Sequence, residues 1–460
     1  MTESFYERLL GEAMRGGADF CEIFQEYTKK QTLRYLDGKI DQVTDNRLSG
    51  VGIRAFLGTR TVFASTSDLS EAGLLRCARA VASGCGDLRT GTIETMQLSL
   101  MQPKDIHPVI RDAFGAAMRE KADLLKEACQ AAASFDERIL QVSGMLALVD
   151  REITVTNTEG LFKKDRHRRV RMAVSAVAGA NGENQSGFCG PGGGCGLELF
   201  ETRIPAEIGK HAARQAVTNL QADYIQGGPM TVAIENGFGG VIFHEACGHS
   251  LEATSVGIGA SQMCGKLGQK IANEKITAVD DGTIPNAWGS VNIDDEGTPT
   301  QRNVLIENGI LRSYLVDRLG SRRMQMPMTG SGRRENYEYE ATSRMTNTFI
   351  ENGPDKNEDI IASIEYGLYA REMGGGSVNP LTGAFNFAVT EGYIIRNGKI
   401  CEPVRGASLI GTGSQILKDI DMVGRNLERG QGMCGSSSGS IPTDVGQPLI
   451  RVSKITVGGR

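Results

Sequence analysis

Two histidines and a glutamate fall within six residues in VIFHEACGHSLEA, residues 241–253. Imidazole nitrogens are good ligands for zinc-like ions, and a neighbouring carboxylate can move a proton. Together these types suggest metal-assisted hydrolysis. The spacing departs from the H-E-x-x-H pattern, in which the histidines lie four apart, offset by about 40° on an α-helix. His244 and His249 are five apart, an offset of about 140° that would point them to different sides of a straight helix. A one-residue π-bulge, or a break at the permissive Gly248, would realign them. A lone histidine is usually structural, but only five occur in this chain and two of them flank Glu245.

Two histidines need at least one more ligand. Glu252, Cys264, Asp280, Asp281 and Cys434 all carry suitable donors. Cys247, inside the motif, suits packing as a small apolar group. Cys434 lies in RGQGMCGSSSG, a stretch too polar to keep a cysteine merely for packing. Cys264, in QMCGKLGQ, is nearer in sequence. Glu252 follows His249 by three residues and could instead orient a histidine from outside the coordination sphere.

The elements that must position these residues fall into two parts. Residues 1–224 are expected to form an α+β domain of antiparallel strands and helices in two similar halves. A helix over the first 20 residues, with Phe5, Leu9, Leu10 and Ala13 on one face, precedes strands, an Asp37-Gly38 hairpin turn and a helix opened by Asp68 or Ser70. A second helix over about 108–134, strands through RILQVSGMLALVD, REITVTNTEG and VRMAVSAVAG, and a helix over about 203–222 repeat the order. The basic run KKDRHRRVR (163–171) passes into alternating MAVSAVAG, so it is expected to be the exposed start of a strand. DYIQGGPM marks the boundary. Residues 225–460 are expected to form a β-rich domain, a mostly antiparallel sheet that is closed or sandwiched, carrying one metal-binding helix. Its hairpins turn at Asn308-Gly309 and Asn397-Gly398, and a Gly/Ser loop around Cys434 leads to a last strand.

Composition narrows the function. A net charge of −5 argues against a direct nucleic-acid partner held by phosphate neutralisation. No run of eighteen apolar residues is present to span a membrane. The N-terminus shows no positive stretch followed by an apolar one, and ten cysteines follow no framework spacing. A cytoplasmic protein with reduced thiols is therefore expected.

Beyond spacing, HEACGH followed by SLEA, VDDGT at 279–283, SRMTNTFIENG at 343–353, EGYIIRNGKICEPVRGASLIGTG at 391–413, and GMCG with VGQPLIRV at 432–452 together resemble the TldD/PmbA family, in its TldD branch. The resemblance spans nearly the whole chain. It implies a zinc-dependent peptidase acting on unfolded or flexible peptides, including toxin-antitoxin and microcin-type substrates. By that resemblance His244, His249 and Cys434 are the ligands of one Zn²⁺ per chain, and Glu245 is the general base. TldE-branch members usually lack the histidine motif, so this chain resembles a catalytic subunit that pairs with itself or with a TldE-like subunit. The family's older label, modulator of DNA gyrase, finds no support in the acidic composition. TldD tails often continue C-G-K-x-G-Q after the cysteine, whereas CGSSSGS here removes that lysine. A rival reading is a non-catalytic, chaperone-like subunit with a closed His₂Cys₂ site completed by Cys264. That reading leaves Glu245 without a task.

Overall fold

The structure is a computed structural model that describes residues 1–87, 97–379 and 381–459. Its first half builds one sheet from two helix–three-strand–helix units. In the first unit the helix Glu3–Met14 precedes strands Phe20–Leu36, Lys39–Leu57 and Arg60–Thr66, and the helix Glu71–Cys85 closes it. The second unit runs Met118–Ala133, then strands Ile139–Asn157, Leu161–Ala180 and Glu183–Cys189, then Pro205–Gln221. The units join where Phe20–Leu36 pairs antiparallel with Ile139–Asn157, placing Leu33 opposite Leu146. Each unit centres on one apolar core, with exchange at the seam: Leu33 and Tyr35 of the first unit lie in the second core, and Phe162 of the second lies in the first. Tyr6, Leu9, Leu10 and Val81 lie in one core, and Leu125, Leu146, Met172 and Ala212 lie in the other. The duplicated order expected from the sequence is present. Asp37 and Gly38 both adopt positive φ, 48° and 82°, as a two-residue hairpin turn of this twist requires. The second unit's opening helix begins at Met118, ten residues later than the composition suggested. Residues before it are held as turns, with the Glu198 carboxylate accepting the N–H groups of Ile110 and Arg111.

Beyond residue 222 the described residues form two large sheets and a two-stranded one, Gly332–Arg333 with Thr342–Ser343. One has the order Tyr366–Val378, Gly228–Ile234, Ile450–Gly458, Ser408–Thr412, Ala384–Arg396, Lys399–Arg405, Asp223–Tyr224. The other runs Ile310–Leu311, Arg302–Glu307, Ala278–Asp281, Asn347–Ile350, Gly439–Gln447, Glu428–Ser436. Most neighbours are antiparallel, but three pairs are parallel, among them Asn347–Ile350 with Gly439–Gln447. A single core draws Ile234 and Leu368 from the first sheet and Ile350 and Val445 from the second. It also takes in Val241, Ile242, Phe243 and Ala246 from the histidine motif. Burying four apolar side chains of so short a segment, at ~1.5–3 kcal/mol for each large one, fixes its position against both sheets. The tail expected as a Gly/Ser loop is instead a regular hairpin, Glu428–Ser436 with Gly439–Gln447, in register from Glu428 opposite Gln447 to Ser436 opposite Gly439.

The duplicated sheet meets the second half of the chain through charge as well as apolar packing. Phe24, Ile153 and Val155 pack on Tyr337. Arg54, 1% exposed, donates to Glu22, to Glu296 and to the Ala341 carbonyl. Arg334, also 1% exposed, donates to Glu22 across the same junction. The run 163–171 forms part of a strand as expected, but it is not exposed throughout: His167 and Arg169 point inward and are buried, while Lys164 and Arg166 face solvent. Strand alternation sends successive side chains to opposite faces, and the inward face is covered by residues 288–295. Among the described residues no helix is long and apolar enough to cross a membrane.

Candidate metal centre

The α-helix that begins the motif covers only Val241–Ala246. Cys247 leaves helical geometry at φ −128°, ψ −46°, and Gly248–Leu251 continues as a tighter 3₁₀ turn. The helix therefore breaks and no π-bulge forms. The expected single metal-binding helix is corrected in the same way, since it holds His244 and Glu245 but not His249. The break turns the second imidazole back toward the first, leaving ring centroids 5.1 Å apart at 83°. Gly248 serves here through size: a Cβ would stand 2.3 Å from Met345 Sδ.

Cys434 reaches this pair from the edge strand of the six-stranded sheet, where it lies opposite Ile441. Its Sγ is 3.3 Å from Nε2 of His244 and 3.3 Å from Nε2 of His249. All three donor atoms lie within 4.8 Å of one another, and among the described residues no other group of this kind is present. With metal–nitrogen and metal–sulfur bonds of about 2.0–2.1 and 2.3 Å, a tetrahedral ion separates N and S by roughly 3.6 Å. The two N···S distances of 3.3 Å lie about 0.3 Å short of that spacing, so the donor set fits a zinc-like ion by chemistry and needs only a small outward shift to hold one.

The surrounding groups prepare the donors. Burial alone would raise the Cys434 thiol, but the charges and hydrogen bonds of His244 and His249 outweigh it and bring it down to about 4. The sulfur is thus a thiolate at neutral pH, the form that binds metals. Burial opposes protonation of His249, yet the Glu252 carboxylate and Cys434 overcome it and hold the imidazole well above its ordinary range. Glu252 Oε2 lies 3.2 Å from His249 Nδ1, which leaves Nε2 to face the sulfur. Glu245 Oε2 stands 3.6 Å from His249 Nε2, and its side chain remains a quarter exposed.

The other sequence candidates are engaged elsewhere. Cys264 Sγ donates to the Val256 carbonyl. Asp280 accepts from Thr346 N–H and from the hydroxyls of Thr346 and Thr348, and Asp281 accepts from Thr283. All ten cysteines are free, and Cys247 is fully buried in the core. One residue carried no signal in the sequence. Arg344, with 0% of its side chain exposed, donates to the Cys434 carbonyl, to Ser438 Oγ and to the Gly439 carbonyl. Its Nε lies 3.9 Å from Glu252. It ties the hairpin tip to the group that orients His249. Nothing but its place within SRMTN could have marked it.

Fold and site together define a two-part α/β protein with a His₂Cys donor set in its β-rich half, His244 and Cys434 buried and His249 partly exposed. Three family models match successive stretches. Residues 21–84 match PmbA/TldA metallopeptidase domain 1, 116–220 the central domain, and 227–459 the C-terminal domain. The chain is 37% identical over 449 residues to a metalloprotease TldD homolog of Haemophilus influenzae, spanning 96% of this chain and 93% of that one. A zinc metalloprotease TldD homolog of Saccharolobus solfataricus is 29% identical over 263 residues, 57% of this chain and 58% of its own. In fold the chain is similar to a Thermotoga maritima crystal structure, with TM-score 0.80, 23% identity and coverage of 99% and 100%. It is similar also to TldE from Thermococcus kodakarensis, with TM-score 0.77, 19% identity and coverage of 99% and 100%. The chain belongs to the TldD/PmbA metallopeptidase family.

Proposed function

We propose that this protein is a zinc-dependent peptidase, with His244, His249 and Cys434 as ligands and Glu245 as general base. The observation that carries the reading is the placement of Glu245 beside a donor set that the helix break has brought together. A bound zinc ion supplies Lewis acidity and a water of lowered pKa. Glu245 Oε2, 3.6 Å from the His249 donor nitrogen, accepts the proton of the attacking water and returns it to the departing amine nitrogen. Glu252 fixes the His249 ring through Nδ1, and Arg344 fixes the Cys434 backbone, so neither donor must reorganise during turnover. The substrate class is unfolded or flexible peptide, whose free backbone groups can pair with a strand edge such as that of Glu428–Ser436. A rival closed His₂Cys₂ centre finds no support, because Cys264 is bonded elsewhere.

The division at residues 224/225, a cytoplasmic setting and association as a homodimer or with a TldE-like subunit complete the proposal. The likeness in fold to a TldE supports the last of these. The deciding experiment is Glu245→Gln, assayed on an unfolded peptide with zinc measured on the same preparation. Hydrolysis falls by at least ~10²-fold, within the range for a general base, while zinc content stays at the wild-type level. Activity within a few-fold of wild type would refute the role.

A further inference from the structure

A cavity of about 30 Å³ touches the strand that pairs with the Cys434 strand, with Arg151, His167, Arg169, Arg333, Arg334 and Pro442 in its wall. That volume exceeds the ~10–15 Å³ a single water-sized sphere requires. The wall is unusual for the amount of buried positive charge it holds. Arg169, 5% exposed, donates to the carbonyls of Trp288 and Ser290 at 2.9 and 3.3 Å. Arg333, 4% exposed, donates to the carbonyls of Met345 and Pro442. Neither guanidinium forms an ion pair with a carboxylate among the described residues. Nδ1 of His167 and Nε of Arg334 are buried without a hydrogen-bond partner.

The carboxyl groups in the wall are already engaged. Asp295 lies 3.4 Å from Arg151 and accepts the Arg334 N–H, and Glu335 accepts the Ser440 N–H. Asp294 accepts the N–H groups of Glu296, Thr298 and Gly332, while burial, then the charge of Glu296, raises its carboxyl above the usual range. Burial, then repulsion from Arg333 and Arg151, pulls Arg169 down to about 9. Asp295 and Asp165 attract Arg169, and Asp295 and Asp280 attract Arg333, only from beyond ion-pair distance. A water molecule could satisfy the free polar atoms but would leave both guanidinium groups without an anion in direct contact.

We propose that this cavity binds a small inorganic anion of the size of chloride or bromide, held chiefly by Arg169 and Arg333. At about 30 Å³ the cavity has no room for an amino-acid residue, which separates the site from peptide recognition. Its effect reaches the candidate metal centre through backbone. Arg333 holds the carbonyl of Pro442, which lies opposite Met433. Arg169 holds the carbonyl of Trp288, whose indole N–H donates to Gly432 at 2.8 Å. An anion that neutralises both arginines therefore stabilises the hairpin that carries Cys434.

Anion binding at this cavity needs no metal and does not depend on peptidase activity. The test is thermal unfolding of the full chain at constant ionic strength while sodium gluconate is replaced by sodium bromide. The expected result is a saturable upward shift of Tm in the wild type, lost in Arg169→Met. An equal shift in both proteins, or no shift in the wild type, would overturn the site. Should Arg169→Met not fold, bromide-soaked wild-type crystals decide the matter. An anomalous peak between Arg169 and Arg333 supports the site, and an ordered cavity without one overturns it.

Discussion

Replacing Glu252 with alanine should weaken zinc binding by about 10²-fold while leaving all three proposed ligands in place. Glu252 is 4% exposed and stands 3.2 Å from Nδ1 of His249, so it sets both the ring's orientation and the nitrogen left to face the sulfur. Partners of this kind are generally worth ~10–100-fold in metal affinity. The upper end applies here because burial excludes a water that could take over the hydrogen bond. A hundredfold loss corresponds to ~2.7 kcal/mol. Glu252→Gln keeps an oxygen that can accept the Nδ1 proton and loses only the charge, so its cost should be nearer tenfold. The assay is competition for zinc against a chelator of known affinity, with thermal unfolding followed in parallel. The parallel measurement is required because the carboxylate also lies 3.9 Å from the buried Arg344. Folded Glu252→Ala with zinc affinity within twofold of wild type would refute the orienting role.

Two further outcomes follow from the same geometry and from the junction. Cys434→Ser should lose bound zinc and activity together, whereas Cys264→Ser, whose thiol meets only the Val256 carbonyl, should retain both. The reverse pattern in metal analysis would contradict the assignment. Burial, then the charge of Glu296, pushes Asp317 up to about 7 from 3.8. A carboxyl raised in this way binds more protons folded than unfolded, so its contribution to stability falls as pH rises from about 4 to about 7 and is level outside that window. Asp317→Asn keeps an oxygen for the Gly320 N–H and should flatten that slope, raising stability at pH 8 by at most ~4 kcal/mol at 1.36 kcal/mol per pH unit. Parallel unfolding curves for the two proteins across pH 4–8 would count against it.

Much of this arrangement was legible in the sequence, and the gaps have physical causes. The Asp37-Gly38 and Asn397-Gly398 turns were readable because only a few residue types accept positive φ at both positions. The order of strands and helices showed the duplication without any identity of residues. The five-residue spacing of His244 and His249 said that a straight helix would fail. It did not say which repair the chain uses, because the close approach of Met345 to Gly248, which leaves no room for a Cβ there, joins residues distant in sequence. Cys434 stood among several candidates on residue type alone, and the family resemblance singled it out. Its strand was hidden behind a Gly/Ser composition with low strand propensity, which the partner Gly439–Gln447 overrides. Arg54, Arg169 and Arg344 were invisible as core residues. Charged side chains are ordinarily read as surface, and their counter-charges and carbonyl partners come from distant parts of the chain.

X-ray absorption at the zinc edge, recorded on the full-length protein loaded with one equivalent of zinc, tests the centre most directly. The expected spectrum shows one sulfur scatterer at about 2.3 Å and two imidazole nitrogens at about 2.0–2.1 Å, with the sulfur shell absent in Cys434→Ser. A zinc shell made only of nitrogen and oxygen in the wild type, or a sulfur shell that survives Cys434→Ser, would contradict it.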